Sequence, residues 1–257
     1  MNLGLTDRVA LVLGSTSGLG WASAEALAAE GARVVVVGRR ADLVEERAAS
    51  LPEATGVVAD LTDPGAATAV VSAAREAYGQ VDVVVLNGGG PAPSTALDFS
   101  SDDASAAAQL LVVPHVAVLE QLLPAMREAG WGRVIAIGSS GVQQPIPTLT
   151  ASNVGRAALA AYLKTLAGAV AKDGVTVNMV LPGRIDTDRV ASLDSSTAER
   201  TSRSVDEVRT QAESTIPTGR YGRPEEFAAI VTFLASDLAS YVTGEQIRCD
   251  GGLVAGY

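Results

Sequence analysis

Val9-Ala10-Leu11-Val12-Leu13-Gly14-Ser15-Thr16-Ser17-Gly18-Leu19-Gly20 is the stretch on which the fold turns. Its first five residues are apolar without alternation, which predicts a strand covered on both faces. The Ala/Glu-rich segment WASAEALAAEGA that follows favours a helix. Glycine also marks ordinary turns, so the pattern alone is weak. Placed between first strand and first helix, Gly14, Gly18 and Gly20 predict a tight turn at which a pyrophosphate can approach a helix N-terminus.

The same rhythm continues outward. Strands are expected at Val34–Val37, Val57–Ala59, VDVVVL reaching Leu86, RVIAI, VTVNMV and EQIRC, giving seven with the first. Helices are expected over ADLVEERAASL, from Asp63-Pro64 to about Tyr78, from Ser101 to Ala129, from Ala151 to Ala171 and over PEEFAAIVTFLAS. Oily strands separated by helices predict an α/β fold: a doubly wound, seven-stranded parallel sheet of Rossmann type in three α/β/α layers. Residues 1–257 read as a single dinucleotide-binding domain. Within it, 185–219 is rich in Ser, Thr, Asp and Arg and is expected to be an irregular, mobile segment covering substrate, with a helix near Val205–Glu213.

Composition narrows the function classes. The 257 residues carry 19 basic and 29 acidic side chains, a formal charge of -10, which argues against a nucleic-acid partner. Cys249 is the sole cysteine, so no disulfide framework exists, no Cys/His cluster has zinc spacing, and no metal is expected. The opening residues lack a basic leader, and the oily stretch AAAQLLVVPHVAVL reads as too short to span a bilayer. A cytoplasmic protein without membrane contact is the expectation.

Two further features bear on the ligand. An acidic residue that would grip an adenosine ribose is expected about 20 residues beyond the glycine turn, yet Gly38-Arg39-Arg40 stands there. A guanidinium can fork onto a 2'-phosphate, so NADP is favoured over NAD. Asp60 ends the third strand, as an adenine-side acceptor or a simple loop carboxylate, and Asn87-Gly88-Gly89-Gly90 follows the fourth strand at the sheet edge where ligands bind.

The whole chain resembles the short-chain dehydrogenase/reductase family, especially its 3-oxoacyl-carrier-protein reductase branch. The marks are GSTSGLG, Asp60, Asn87-Gly88-Gly89, Ser139, VNMVLPGRIDTD at 177–188, GRPEEFAAIVTFLAS and the closing DGG at 250–252. The resemblance implies strand order 3-2-1-4-5-6-7, an NAD or NADP cofactor, and a homodimer or homotetramer. It also implies that Ser15, Thr16, Ser17, Leu19 and Leu61 join the glycines at the cofactor, and that Pro182, Gly183, Ile185 and Thr187 adjoin the nicotinamide.

The reaction centre departs from the family pattern. A Tyr thirteen residues after the Ser and a Lys four further on are replaced by Ser152 and Arg156, and the helix Asn falls at Leu111. Serine is a poor acid beside tyrosine, whose reference pKa is about 10. Arg156 can stabilise an oxyanion but is a poor proton donor. One helical turn beyond Leu111 stands His115, a candidate proton carrier or a packed histidine. Tyr162 and Lys164 do not share the helix face of Ser152.

Three readings follow. In the first, an NADP(H)-dependent oxidoreductase acts on a small-molecule carbonyl or alcohol, with Ser139, Ser152 and Arg156 orienting the oxygen. The second is a dehydratase, isomerase or cyclase on the same scaffold, with His115 or Asp186 as base. The third is a cofactor-binding partner or sensor without chemistry.

Overall fold

The computed structural model describes residues 2–256. Its elements run β1 (Val9–Val12), α1 (Gly18–Ala29), β2 (Arg33–Gly38), α2 (Ala41–Ala49), β3 (Ala54–Val58), α3 (Ala66–Tyr78), β4 (Val83–Leu86), α4 (Ser101–Leu111) and α5 (Val113–Glu128). They continue β5 (Gly132–Ile137), α6 (Thr150–Val170), β6 (Val175–Pro182), α7 (Asp188–Thr201), α8 (Val205–Ser214), α9 (Pro224–Ala235) and β7 (Gln246–Cys249). The seven strands form one sheet in the order β3-β2-β1-β4-β5-β6-β7, every neighbouring pair parallel.

Side chains on a strand alternate between faces, and both faces here are apolar. Ala10, Val12, Val34, Val36, Val83 and Val85 pack with Leu27 of α1 and Phe227 and Val231 of α9. Leu11, Leu13, Val35, Val84 and Val134 pack with Val70 of α3, Leu119 and Leu122 of α5 and Leu163 of α6. The chain reverses its direction of travel across the sheet between β1 and β4, which opens a crevice beyond their carboxyl ends. The candidate functional site lies along that crevice.

Several expectations are corrected. The helix forecast from Ser101 to Ala129 is two helices, because Val112 leaves helical geometry at φ −121°, ψ −60° just before Pro114, whose ring cannot continue the ladder. The oily stretch expected to be too short for a bilayer lies within the Ser101–Glu128 tract, which is long and apolar enough by length and composition to cross a membrane. In the fold it is a wall of the sandwich, with Leu111, Val118, Leu119, Leu122 and Met126 fully buried. Helix α3 starts at Ala66: Gly65 takes φ +81°, and the Ala66 N–H closes a turn on the Asp63 carbonyl at 3.1 Å. The 185–219 segment, forecast as irregular, is mostly helical, comprising α7 and α8 joined at Ser202–Ser204.

Trp131 is a packing anchor of an unforeseen kind. Its ring is sandwiched by the guanidiniums of Arg8 and the buried Arg133, at 3.8 and 4.2 Å from the centroid. Arg133 is satisfied by the Ser236, Gly132 and Gly174 carbonyls, which makes a buried cation tolerable.

Candidate active site

The glycine turn is rigid from within. Gly14 sits at φ +57°, and a Cβ on Gly20 would lie 2.3 Å from the Gly14 carbonyl oxygen, so only glycine allows α1 to approach β1 this closely. Asn87, at the end of β4, donates its Nδ2 to the same Gly14 oxygen at 3.0 Å and locks the two strand ends together. Ser17 precedes α1 with extended backbone and no side-chain cap, leaving the first amides of the helix for a ligand.

A cavity of about 990 Å³ runs along this edge of the sheet. At one end it is lined by Gly14, Thr16, Ser17, Gly18, Leu19, Arg39, Arg40, Asp60 and Leu61. It passes Asn87, Gly88 and Gly89 and reaches His115, Ser139, Ser152, Arg156, Pro182, Gly183, Ile185 and Thr187. A Cβ at Gly89 would meet nothing within 4 Å, so this glycine faces open space.

Two of the forecast positions do not line it. Gly20 packs against the turn, and Ser15 points inward: its hydroxyl donates to the Val12 carbonyl at 2.7 Å and accepts the Val37 N–H at 2.9 Å. Ser15 is therefore a clamp between β1 and β2. Asp60 is knitted to its neighbours, accepting the Thr62 N–H and hydroxyl on Oδ1, and these bonds hold its pKa below the ordinary carboxylate value. Arg39 reaches Asp60 at only 3.5 Å and is largely exposed, which leaves its guanidinium available.

At the other end Ser139 and Ser152 face the cavity from the end of β5 and the first turn of α6. The Ser139 Oγ accepts the Gly141 N–H at 3.1 Å. Arg156 donates Nη1 to the Ile137 carbonyl at 2.7 Å. Burial, reinforced by the charge of Arg189, lowers the Arg156 pKa to about 10, still a cation at neutral pH.

His115 is 3% exposed, and its Nδ1 lies 2.9 Å from the Leu111 carbonyl. Burial pushes its pKa down, against opposing bonds to the Leu111 and Asn87 backbone, so the ring is neutral. Asp186, the other base considered, lies outside the cavity wall and accepts Nη1 and Nη2 of Arg209 at 3.3 and 3.0 Å. Asp186 is thus held away from the cavity by Arg209, whereas His115 lines the cavity as a neutral imidazole with its Nδ1 turned to the Leu111 carbonyl.

The residues point to 185–219 on this side of the cavity but to nothing at 144–149. Residues 144–149 form one wall, held by Asn153, whose Oδ1 and Nδ2 bond the Ile146 N–H and carbonyl at 3.3 and 2.9 Å. Helix α7 forms another with Arg189, Leu193, Ser196, Thr197 and Arg200. Their spacing over 189–200 at three or four residues is the helical signal that an expectation of irregular structure passed over.

Fold, glycine turn and site together define an oxidoreductase scaffold, and the chain belongs to the short-chain dehydrogenase/reductase family. Residues 14–254 match the family model described as Enoyl-(Acyl carrier protein) reductase. The 3-oxoacyl-acyl-carrier-protein reductase of Salmonella typhimurium is 32% identical over 254 residues, covering 96% of this chain and 97% of that protein. An NADPH-dependent reductase of Bacillus subtilis is 31% identical, covering 96% and 98%. The crystal structure of L-sorbose reductase from Gluconobacter frateurii, complexed with NADPH and L-sorbose, superposes with a TM-score of 0.94 at 32% identity over the full length of both chains.

Proposed function

We propose that this protein is an NADP(H)-dependent reductase of small-molecule carbonyl compounds, working in the alcohol direction when the cofactor is oxidised. One observation carries the reading: a single cavity joins the glycine turn and Arg39–Arg40 to Ser139, Ser152 and Arg156. The residues fit a phosphorylated dinucleotide. Gly20 leaves no room for a side chain, the α1 amides are uncapped, and the end of β2 offers guanidiniums where a carboxylate would repel a 2'-phosphate.

Bound NADPH supplies a hydride to the carbonyl carbon. The carbonyl oxygen would take a proton in the same step. Ser139 and Ser152 orient that oxygen by hydrogen bonds, and the fixed charge of Arg156 stabilises the negative charge growing on it. Neither hydroxyl is acidic enough to lead the proton transfer, Arg156 holds its proton, and His115 is neutral and buried. Water entering the open cavity delivers the proton.

The reading treats residues 1–257 as one domain with 185–219 as its substrate cover. A homo-oligomer fits the exposed Val113 on α5 and Val154 on α6. Cytoplasmic residence fits the lone Cys249, and the net acidity fits a small-molecule rather than a nucleic-acid partner.

The test is calorimetric titration with NADPH and NADH, followed by NADPH oxidation with a panel of ketones and aldehydes. NADPH binding tighter than NADH, with turnover of at least one carbonyl, is expected. No binding of either nucleotide would end the reading.

A further inference from the structure

We infer that the substrate end of the cavity takes a carbonyl compound bearing a carboxylate, an oxo acid, held between Arg156 and Arg189. The inference rests on the reductase reading and adds the substrate class to it.

The protein as a whole repels anions, with a net charge of -10, yet this end of its cavity is cationic. Arg156 and Arg189 each satisfy one N–H on a backbone carbonyl, Ile137 at 2.7 Å and Pro91 at 2.8 Å. Those bonds fix the guanidiniums and neutralise nothing. Among the described residues neither has a carboxylate within 4.0 Å, and the same holds for Arg200 on α7. Arg184 is different, since Asp194 already accepts its Nη1.

Two carboxylates also line the cavity, and they leave this end net positive, Asp188 setting one negative charge against Arg156, Arg189 and Arg200. Asp60 lies at the opposite end and is occupied by Thr62 and Arg39, and Asp188, exposed in the first turn of α7, forms no ion pair among the described residues. Arg156 and Arg189 are near enough for the charge of one to depress the pKa of the other. Two like charges facing one space, with burial penalising one, are relieved by an anion. Guanidiniums with N–H groups left over match a carboxylate's paired oxygens.

Geometry also fits the chemistry. Ser139 and Ser152 offer neutral hydroxyls for the carbonyl oxygen, and Leu149 and Leu193 supply apolar walls for a short chain. In the reaction the carbonyl carbon accepts the hydride and its oxygen a proton from water. NADPH becomes NADP+, the product is the hydroxy acid, and the carboxylate is unchanged.

The experiment compares acetoacetate and 2-oxobutanoate with their methyl esters, and dihydroxyacetone phosphate with dihydroxyacetone, as substrates with NADPH. The acids are expected to exceed their esters in kcat/KM by about tenfold or more. Arg189→Leu should collapse that ratio about tenfold, mainly through the KM of the acid, with Arg189→Lys restoring part of it. Equal use of acid and ester overturns the proposal, as does a preference confined to the phosphate. So does an Arg189→Leu loss of NADPH affinity that matches the loss for the acid, because the guanidinium then serves the cofactor. Where no probe is turned over, acetoacetate is titrated calorimetrically into the NADP+-saturated protein. Binding abolished by Arg189→Leu keeps the anion site and removes the reductase reading, and no binding removes the anion site.

Discussion

The Arg156 guanidinium donates to the carbonyl of Ile137, the last residue of β5, at 2.7 Å, pinning helix α6 to the sheet edge where the carbonyl substrate would lie. The bond fixes the direction of the charge. Arg156→Ala is expected to lower kcat/KM by roughly 100-fold, the scale of losing one preorganised donor to an oxyanion. It should also cost about 1–3 kcal/mol in stability by stranding the Ile137 carbonyl. Steady-state kinetics and thermal melts check the two effects separately, and unchanged turnover would remove Arg156 from the chemistry.

Arg39 and Arg40 line the cavity just beyond the end of β2, where the proposed reading puts the 2'-phosphate of NADP. Replacing both with Ala should raise the KM for NADPH about 10- to 100-fold, the scale of charge-assisted hydrogen bonds, while altering that for NADH far less. Parallel titrations with both nucleotides read the ratio. An equal effect on both would place the arginines elsewhere in binding.

Ser15 holds β1 to β2 from inside the turn. Ser15→Ala leaves the Val37 N–H unpaired in the core and should cost about 1–3 kcal/mol. Denaturant unfolding measures that loss. Since Ser15 does not reach the cavity, the affinity of the folded protein for NADPH should remain near the wild-type value.

The Glu226 carboxylate, near the start of α9, accepts from Arg220 and from the Arg223 N–H, which lowers its pKa to about 2 from 4.5. A carboxylate with a depressed folded-state pKa stabilises the protein fully above its unfolded value and loses that contribution as pH falls through the folded value. The difference in melting temperature between wild type and Glu226→Gln should thus be largest above pH 4.5 and shrink towards pH 2. A difference independent of pH would contradict the ion-pair origin.

Ser152 is the acid-poor position of the site. Ser152→Tyr places a phenol at the cavity wall, one helical turn from the cation at Arg156. Turnover of a confirmed carbonyl substrate should rise about tenfold or more, because general-acid assistance is worth about 10²–10⁴. The solvent deuterium isotope effect should change with it. No gain would mean that proton delivery does not limit the wild-type rate.

Much of the scaffold is legible in the residues because it is written locally. Apolar runs without alternation, a glycine turn at a strand end and helix-forming segments at regular intervals specify a parallel sheet from neighbours in the chain. Arg39, Arg40, Asn87 and Ser139 could be placed for the same reason, each lying just beyond the end of a strand. Boundaries were less readable. Gly65 at φ +81° delays α3, and Val112 breaks the helix before Pro114, because backbone conformation there overrides propensity.

The amino-acid order by itself determined that a dinucleotide edge exists and which strand ends form it, since strand, turn and helix are contiguous. Only the tertiary structure decided which side chains line the cavity. Ser15 turns into the core while its neighbours Thr16 and Ser17 face the cavity, and Arg189 crosses 98 residues to the Pro91 carbonyl and shares a wall with Arg156. The physical reason is that such convergence depends on how helices dock on a finished sheet, a relation between distant residues that no local spacing encodes.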